Sequence, residues 1–437
     1  RARAWTPAHP SCDNGQVAVA PLEVGVVGAG TAGAAAALLL ARAGHRVRVY
    51  EAVPDPAPVG AGIMLQPSGM AVLERLGLFG PVLARGAPVA RLRCVTAARW
   101  PVLDLAYARV HPDAFGLGLH RGVLFGALFE ALGREPRVEV RCGVPVETLR
   151  TERGRHLLLD PDDRLLGEHD LVVVADGARS QLRDDTPLTV RERRYRWGAL
   201  WCVLEDRERA FEGELFQVVR GTRHMLGFLP TGLGPAGDVP LVSLFWSLPV
   251  DRLEAFREAG LATFAATVRA YEPRAAPLLA QLEDPDRLLF ARYHDVVLRR
   301  WHLRAGVVYL GDAAHATSPQ LGQGANLALV DAAGLADALD GHDDLGEALD
   351  AYSAARRPQL AYYQWAARLL TPFFQSDLAP LGWLRDAFMA LACRLPWVGT
   401  KMVRTMCGLE RGLVFRAPRP LPALPRALPP PPRGEAA

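Results

Sequence analysis

The pattern of apolar and polar positions is clearest between residues 23 and 51. A short β-branched run from Val24 to Val27 ends at Gly28, and residues 31–43 then consist mainly of alanine and leucine, which stabilise helices best. After Gly44, apolar and polar residues alternate as far as Glu51, as they do in a strand. The pattern predicts a strand, a tight turn, a helix and a second strand, which together form a βαβ unit.

The turn of this unit carries the G-x-G-x-x-G spacing of dinucleotide-binding proteins. The first glycine permits the turn, the second lets a pyrophosphate approach the backbone, and the third allows helix and strand to pack closely, while the helix N-terminus offers N–H groups to phosphates. An acid at the end of the second strand would hold ribose hydroxyls and repel a 2′-phosphate, which favours FAD or NAD over NADP. The alternative is a glycine-rich turn that binds nothing. The predicted ligands are Gly28, Gly30, Thr31, Ala32, Gly33 and Glu51.

Further along the chain, short apolar segments alternate with turns. A continuous apolar run from Asp170 to Ala175 is typical of a buried strand, and it ends at Asp176 and Gly177. A helix is predicted from Pro67 to Leu76, and helical patterns cover residues 251–282. Other strands are predicted at residues 91–95, 102–105, 138–140, 156–159, 197–204, 215–219, 224–228, 241–246 and 288–293, with the aromatic segments after residue 196 forming an inserted antiparallel sheet.

A second informative stretch follows Gly306. An apolar strand ends at Gly311 and Asp312, a loop crosses, and a helix begins at Gly324 with small residues in its first turns. The pattern places an acid at the carboxyl end of a parallel strand, where ligands bind in such folds, next to a helix N-terminus that is open to a ligand oxygen. Helical patterns continue to about residue 415.

Composition limits the class of protein. The 437 residues are 50% hydrophobic and 22% charged with a formal net charge of +3, and the signs are interspersed, so a nucleic-acid partner is not indicated. Six scattered cysteines without a C-x-x-C pair predict neither a zinc site nor a redox disulfide, and we expect no metal. The sequence shows no signal peptide and no run of 18 apolar residues, so a cytoplasmic enzyme is expected.

Three motifs in this order resemble the para-hydroxybenzoate hydroxylase family of single-component FAD-dependent aromatic hydroxylases. The G-x-G-x-x-G turn with Glu51 is similar to the family's FAD fingerprint, Asp176-Gly177 with Arg179 and Ser180 to its Asp-Gly motif, and the stretch from Gly311 to Asp331 to its Gly-Asp motif. The resemblance implies an α/β fold, with a Rossmann-like FAD-binding domain, an inserted antiparallel β-sheet substrate domain and C-terminal helices.

The resemblance also implies roles for single residues. Glu51 would bind the adenosine ribose, Arg121 the flavin side chain or diphosphate, and Asp312 a ribityl hydroxyl, while the Asp-Gly motif is associated with both FAD and the nicotinamide cofactor. Residues lining the flavin ring would come from the loop and helix after Asp312. The further cofactor-binding residues expected on this basis are Asp176, Pro319, Gly322, Gly324, Ala325 and Asn326.

The resemblance assigns a chemistry. A monooxygenase of this kind uses NADH or NADPH and O2 to form a flavin hydroperoxide that hydroxylates or epoxidises an aromatic or polyene compound. Only one G-x-G-x-x-G is present, so NAD(P)H is expected to bind transiently without a Rossmann domain of its own. A halogenase is the first alternative, but Lys401 is the sole lysine and no Trp-x-Trp-x-Ile-Pro signature is present. An FAD-dependent reductase without oxygen transfer is the second.

The substrate is expected between the flavin and the inserted sheet. No single residue is compelling as a catalyst, and His224 and Tyr293 are the candidates; a satisfied structural histidine is the alternative for His224, and His315 is interpreted as structural. Further side chains considered for the pocket are Gln217, Phe228, Trp246 and His294.

The predicted domain organisation is a loose leader over residues 1–22, an FAD-binding domain over 23–185 and 287–370, a substrate-binding sheet over 186–286, amphipathic helices over 371–417 and a proline-rich tail over 418–437. Apolar faces with interspersed cationic residues between Leu369 and Phe415 would contact a membrane surface weakly or, alternatively, pack on the flavin domain. A monomer or homodimer is expected.

Overall fold

The computed structural model describes residues 18–57, 60–183, 188–412 and 417–422. Most of the predicted leader and tail, residues 1–17 and 423–437, lies outside the described residues. The helices are α1 (Thr31–Arg42), α2 (Pro67–Arg75), α3 (Phe79–Arg85), α4 (Arg121–Arg134), α5 (Leu253–Tyr271), α6 (Ala276–Leu279), α7 (Asp312–His315), α8 (Gly324–Asp340), α9 (Leu345–Phe374), α10 (Ala379–Arg394) and α11 (Pro396–Met406).

The strands combine into two large and two small sheets. They are β1 (Glu23–Val27), β2 (Arg46–Glu51), β3 (Gly62–Leu65), β4 (Ala87–Val89), β5 (Arg91–Thr96), β6 (Pro101–Ala106), β7 (Gly116–His120), β8 (Val138–Cys142), β9 (Thr148–Glu152), β10 (Arg155–Leu159), β11 (Leu165–His169), β12 (Leu171–Val174), β13 (Thr189–Glu205), β14 (Glu214–Arg220), β15 (His224–Leu233), β16 (Pro240–Pro249), β17 (Leu289–Leu298), β18 (His302–Leu303) and β19 (Val307–Tyr309).

The first large sheet has the strand order β18-β19-β12-β1-β2-β8, and all its pairs are parallel except β18 with β19. Val24 of β1 lies between Leu171 of β12 and Val47 of β2. Because parallel strands end at the same edge, the loops after β1, β12 and β19 meet there. The three motifs of the sequence follow these three strands, so the sheet brings them together.

Helix α1 packs between this sheet and α8. Its alanine-rich sequence explains this position, because small side chains let backbones approach closely, and Ala35, Ala36, Leu38 and Leu40 have no exposed surface. The predicted βαβ unit is confirmed, with β1 and β2 paired in register on either side of the α1 connection.

The second large sheet has the order β17-β13-β16-β15-β14-β5-β6. It is mixed and not purely antiparallel as expected, because β5 pairs with β14 in parallel, Phe216 lying opposite Arg93. It also takes β5, β6 and β17 from outside residues 186–286, so the substrate-side sheet extends beyond the predicted segment. Strand pairing depends on tertiary contacts, and the local pattern of residues 91–106 does not encode its partner.

Helices cover both faces of this sheet. Phe264 and Val268 of α5 cluster with Phe216, Phe228 and their neighbours on one face. On the other face, the end of α9 together with α10 and α11 supplies residues that cluster with Val219, Met225 and Phe245, namely Phe374, Cys393 and Val403. The C-terminal helices are therefore part of the structure that encloses the sheet.

The described ends of the chain are docked on this core. Val19 is buried, and its N–H donates to the Leu339 carbonyl at 3.0 Å, so residues 18–22 are not the loose leader expected. The Arg419 N–H likewise donates to the Leu409 carbonyl at 2.8 Å, and Leu421 packs on the cluster beneath α11. Within the described part of the chain, no helix is both long and apolar enough to cross a bilayer.

Candidate flavin site and substrate face

The turn after β1 has the geometry of a dinucleotide cradle. Gly28 has a φ of +96°, a conformation that favours glycine, and its N–H donates to the Tyr50 carbonyl at 2.8 Å. A Cβ on Gly33 would lie 1.9 Å from the Gly28 carbonyl oxygen, so helix and turn touch only because this residue is glycine. A Cβ on Gly30 would meet nothing within 4 Å, which leaves this side of the turn open.

Glu51 is fixed beside this turn. Its carboxylate accepts a hydrogen bond from the Ala29 N–H at 2.8 Å and another from the Val53 N–H at 2.9 Å. The side chain is half-buried, and each carboxylate oxygen retains a lone pair for a further donor. The geometry therefore permits the ribose contact that the sequence predicts, and it also gives Glu51 a structural role in holding the turn.

The Gly-Asp loop lies against the same turn. A Cβ on Gly311 would lie 3.0 Å from the Ala32 Cβ, and a Cβ on Gly324 would lie 4.0 Å from Asp312 Oδ1. Asp312 thus stands between the N-termini of α1 and α8. Neither helix start has a side-chain cap, so both present free backbone N–H groups at this edge.

A buried ionic cluster holds this loop in place. Asp331 Oδ2 accepts from the Gly311 N–H at 3.0 Å and contacts His315 Nε2, while Asp331 Oδ1 accepts from Arg356 Nε at 2.7 Å. Burial opposes ionisation of Asp331, but the charges of His315 and Arg356 outweigh it and lower its pKa to about 2. His315 is therefore structural, as expected. Arg356, on α9, carries no motif that could have identified it from the sequence.

The remaining predicted cofactor residues fall into two groups. Asp176, Pro319, Gly322 and Gly324 are accessible, and Gly322 is left-handed with a φ of +60°. Asn326 is buried, and its side chain accepts from the Gln66 N–H at 2.7 Å and donates to the Met64 carbonyl at 3.0 Å. The Asn326 side chain connects the start of α8 to β3 and to the start of α2, so it contributes to a cofactor site by holding these elements in place.

Arg121 begins α4 and is exposed, with its Cδ 3.1 Å from the position of a Cβ on Gly60. His120 precedes it and caps the helix, because its Nδ1 accepts from the Gly122 N–H at 3.1 Å. Arg121 is therefore free to extend across the loop at Gly60.

FAD fits the residues present at this edge. An uncapped helix start with an open glycine suits a diphosphate, because backbone N–H groups and the helix dipole attract anions. A second uncapped start, that of α8, would supply N–H groups to an electron-rich ring edge. Bound FAD would supply the redox chemistry, accepting a hydride and activating O2.

Strand alternation decides which sheet residues face this edge. We call the side covered by the C-terminal helices the inner face; the Gly62 N–H of β3 donates to Ser243 Oγ on this side at 2.7 Å. The pairing register and the two core clusters place alternate residues on it. The residues on this face include Trp201, Leu215, Gln217, Gly227, Phe245 and Tyr293.

Three of the residues considered for the pocket lie on the opposite, outer face, which corrects the sequence-based expectation. Trp246 packs its ring against Phe264 and Tyr271 of α5, and Phe228 stacks on Phe211. His224 contacts the Trp246 ring from the same side, and burial lowers its pKa. His224 is therefore separated from the flavin edge by the sheet itself and is not placed to act as a base there.

Gln217 and Tyr293 remain. Both lie on the inner face and are half-buried. Burial raises the pKa of the Tyr293 phenol, while a hydrogen bond from Trp201 acts in the opposite direction, so the phenol is protonated at neutral pH and can donate. Trp201 and Phe245, whose ring centroids are 5.2 Å apart, are aromatic inner-face residues that sequence reasoning missed. Strand alternation is the signal that could have identified them, because residues two positions apart along a strand face the same side of the sheet.

His294 points away from Tyr293 and toward the Asp-Gly loop. Burial lowers its pKa, and the nearby charges of Arg194, Arg179 and Arg183 lower it further. Its Nδ1 is buried without a hydrogen-bond partner. The arginines around His294 thus form a positive cluster that includes Arg179 of the Asp-Gly motif and is partly offset by Glu192, on the face opposite Tyr293.

The chain matches known proteins over most of its length. A family model described as an FAD binding domain matches residues 21–363. Kynurenine 3-monooxygenase of Xanthomonas euvesicatoria pv. vesicatoria is 30% identical over 80% of this chain and 78% of its own. 3-Amino-4-hydroxybenzoate 2-monooxygenase of Streptomyces cremeus is 30% identical over 82% of this chain and 89% of its own.

Solved structures show the same fold. Klebsiella pneumoniae HpxO, complexed with FAD and uric acid, superposes with a TM-score of 0.75 at 23% identity, covering 89% of this chain and 97% of that one. Pseudomonas aeruginosa PqsL, in complex with 2-aminobenzoylacetate, gives 0.71 at 26% identity, covering 83% and 99%.

These matches and the site define a flavoprotein monooxygenase. The chain belongs to the FAD-binding-domain family, in the group of FAD-dependent aromatic hydroxylases. Its cofactor is FAD, and NAD(P)H is its co-substrate. The halogenase and reductase alternatives are not favoured.

Proposed function

We propose that this monooxygenase hydroxylates a small aromatic molecule on the inner face of the second sheet, with one FAD bound at the convergence of the three motifs. The observation that carries the proposal is the position of Asp312 between the uncapped starts of α1 and α8. The residues proposed to hold FAD are Gly28, Gly30, Thr31, Ala32, Gly33, Glu51, Arg121, Asp176, Asp312, Pro319, Gly322, Gly324, Ala325 and Asn326.

The experiment that tests the proposal is a stopped-flow screen of phenols, anilines and indoles with NADH and NADPH, following flavin bleaching and peroxide release. A flavin reduced without substrate wastes reductant, so we expect a true substrate to accelerate reduction at least about tenfold by stabilising the reducible state by about 1.4 kcal/mol. Equal bleaching with and without a compound that is hydroxylated would contradict substrate gating. Failure of every compound to be hydroxylated would count against an aromatic substrate.

The coenzyme is proposed to dock at the positive cluster beside the Asp-Gly loop. Arg179 and Arg194 lie together there beside His294, and the charges of the two arginines would attract the phosphates of NAD(P)H. Arg194→Ala should raise KM for the coenzyme and leave FAD content unchanged. Arg193→Ala is the matched control, because the preceding residue points to the other side of β13. Equal effects of both substitutions would argue against this docking place.

A membrane-surface contact of the C-terminal helices is proposed on a separate observation. Along α10 and the start of α11, Trp383, Phe388, Leu391 and Trp397 are 73%, 59%, 58% and 72% exposed, and Arg394 is exposed beside them. A helix with leucine and phenylalanine on one face, tryptophan at its ends and a nearby arginine is typical of peptides that lie in a bilayer interface.

Vesicle flotation of the full chain tests this contact. Deletion from Thr371 is unsuitable, because Cys393 and Val403 pack into the core over the sheet. We expect the triple variant Trp383→Ser, Phe388→Ser, Trp397→Ser to lose flotation with phosphatidylglycerol-containing vesicles. Trp100→Ser, which removes an equally exposed tryptophan from the β5–β6 turn, should not. If light scattering shows a dimer that the triple variant abolishes, the face is covered by a second copy of the chain instead.

A further inference from the structure

The centre of the inner face is only partly covered by the helices packed on it. Trp201, Leu215, Gln217 and Tyr293 are only half-buried although α9, α10 and α11 cover this side of the sheet. A Cβ on Gly227 would lie 1.9 Å from the Phe245 ring, so that ring lies directly over the glycine. Across the paired strands, Trp201 and Phe245 are therefore followed by Gly227 and then by Gln217.

The six inner-face residues at this place carry no charge. Trp201, Leu215, Gln217, Gly227, Phe245 and Tyr293 are all uncharged at neutral pH, because the raised pKa of Tyr293 keeps its phenol protonated. A buried carboxylate normally needs an arginine or lysine, since an unpaired charge is expensive to desolvate. None of these six residues can supply one.

Two arginines of the helices that cover the inner face already have carboxylate partners. Arg368 of α9 donates from Nη2 to Asp295 Oδ1 at 3.0 Å, and Asp295 also pairs with Arg191 at 3.2 Å. Arg385 of α10, whose charge reaches Cys94 on this face, pairs with Asp386 at 2.7 Å.

The guanidinium of Arg385 has no exposed surface and uses four of its five N–H groups within the protein. Its Nη1 donates to the Gly221 and Phe373 carbonyls at 2.9 and 2.8 Å, and its Nε and Nη2 donate to Asp386. Recruiting this arginine for a carboxylate would leave Asp386 and two carbonyls without partners, at a cost that an added ion pair would not offset.

We infer that the substrate is a neutral aromatic molecule, held by the rings of Trp201 and Phe245 and oriented by hydrogen bonds from Gln217 and Tyr293, and that aromatic carboxylates are disfavoured. This inference rests on the proposed function and narrows it. If it holds, the substrate of this chain differs in charge from the aminohydroxybenzoate, a carboxylate, for which one relative is named. Gln217 can donate and accept, and Tyr293 can donate, which suits a phenol, aniline or carbonyl group.

Matched ligand pairs test the inference. The FAD-loaded protein is titrated with 3-amino-4-hydroxybenzoate and its methyl ester, and with 4-hydroxybenzoate and 4-hydroxybenzamide, using the flavin absorbance change to obtain Kd. In each pair that binds, we expect the neutral member to bind at least about tenfold more tightly. Tighter binding of the acids to the unaltered protein would overturn the inference.

A gain-of-function variant keeps the inference testable if none of these probes binds. Gln217→Arg supplies the missing cation at the centre of the inner face, so we expect it to gain affinity for the acids by about tenfold and to lose it for the neutral members. Leu165→Arg adds the same charge at the exposed start of β11, in a different sheet, and should change neither. A folded, FAD-loaded Gln217→Arg protein with no gain for the acids would refute the placement of the pocket.

The two failures are distinguishable. Preference for acids together with hydroxylation leaves the monooxygenase proposal intact and removes only the neutral-substrate inference. Flavin reduction without oxygen insertion into any bound compound removes the proposed function itself.

Discussion

Asp331 and Arg356 form an ion pair inside the protein, with 2.7 Å between Oδ1 and Nε and no exposed surface on either side chain. The other carboxylate oxygen of Asp331 accepts from the Gly311 N–H. The pair therefore connects α9 to the loop that carries Asp312. Its desolvation is compensated by three polar contacts to Asp331, so removing one partner leaves an uncompensated buried charge.

Replacement of Asp331 by asparagine should destabilise the protein by about 3–5 kcal/mol, because Arg356 would keep its charge without a counterion. Asp337 provides a matched control on the same helix. It pairs with Arg75, but the two side chains are 64% and 45% exposed, so Asp337→Asn should cost no more than about 1 kcal/mol. Chemical denaturation of the three proteins gives both values, and similar losses for the two variants would show that burial of the pair is not the cause.

The two glycines of the turn should separate folding from cofactor binding. Gly30→Ala places its methyl group in open space at an allowed backbone conformation, so stability without FAD should be unchanged, while FAD affinity should fall at least about tenfold as the diphosphate is displaced. Gly33→Ala should instead destabilise the fold by about 1–3 kcal/mol or more, since its Cβ would meet the Gly28 carbonyl at 1.9 Å.

Gly126→Ala in α4 also meets nothing within 4 Å and serves as the control for both measurements. It should leave FAD binding intact and stabilise the helix slightly. Unchanged FAD affinity in Gly30→Ala would show that the diphosphate does not approach the turn at this residue.

Replacement of Asp312 by alanine should give a folded protein without yellow colour. The side chain is exposed at the edge where the motifs meet, so its loss should affect the cofactor more than the fold. Absorbance near the flavin band and thermal unfolding measure the two effects. The alanine variant of Asp343, an exposed acid in the α8–α9 loop, is the comparison, and an Asp312→Ala protein with unaltered flavin content would remove this residue from the site.

The sequence predicted the βαβ unit well, because a strand, a glycine turn and an alanine helix are adjacent and encode one another locally. The strand predicted at residues 197–204 begins earlier in the structure, at Thr189. The charged run from Arg191 to Arg196 does not have the pattern of a strand, and this segment is stabilised by its pairing with β17. Strand alternation and pairing place the side chains of His224 and Gln217 on opposite faces of the sheet. Which of the two faces meets the flavin edge depends on the helices that pack on the sheet, and the local sequence does not encode that packing. The pairing of Arg356 with Asp331, 25 residues earlier in the chain, has no local sequence signal that could have predicted it.

Stability should fall as the pH is lowered from 7 to 5. Burial lowers the pKa of His169 to about 4, with Arg48 and Arg155 contributing, and its ring contacts the Tyr50 hydroxyl at 2.9 Å. Below pH 6.5 the unfolded chain binds a proton at this residue and the folded chain does not until about pH 4, so stability is lost across that window. At pH 5 the loss from His169 is about 2 kcal/mol.

The variant His169→Gln should be less stable at pH 7.5 and show a smaller decline toward pH 5. His111→Gln, which alters an exposed histidine, should keep the decline of the unaltered protein. Denaturant unfolding at several pH values supplies the comparison, and an identical decline in His169→Gln would assign the acid sensitivity to other groups.

The most direct test of the central claim is the fate of labelled oxygen. The FAD-loaded protein is supplied with NAD(P)H, ¹⁸O₂ and a compound from the screen that accelerates flavin reduction, and the product is analysed by mass spectrometry. We predict a hydroxylated product that carries one ¹⁸O atom, formed at about one equivalent per NAD(P)H oxidised. Label found only in peroxide, or oxygen in the product that derives from water, would contradict the account.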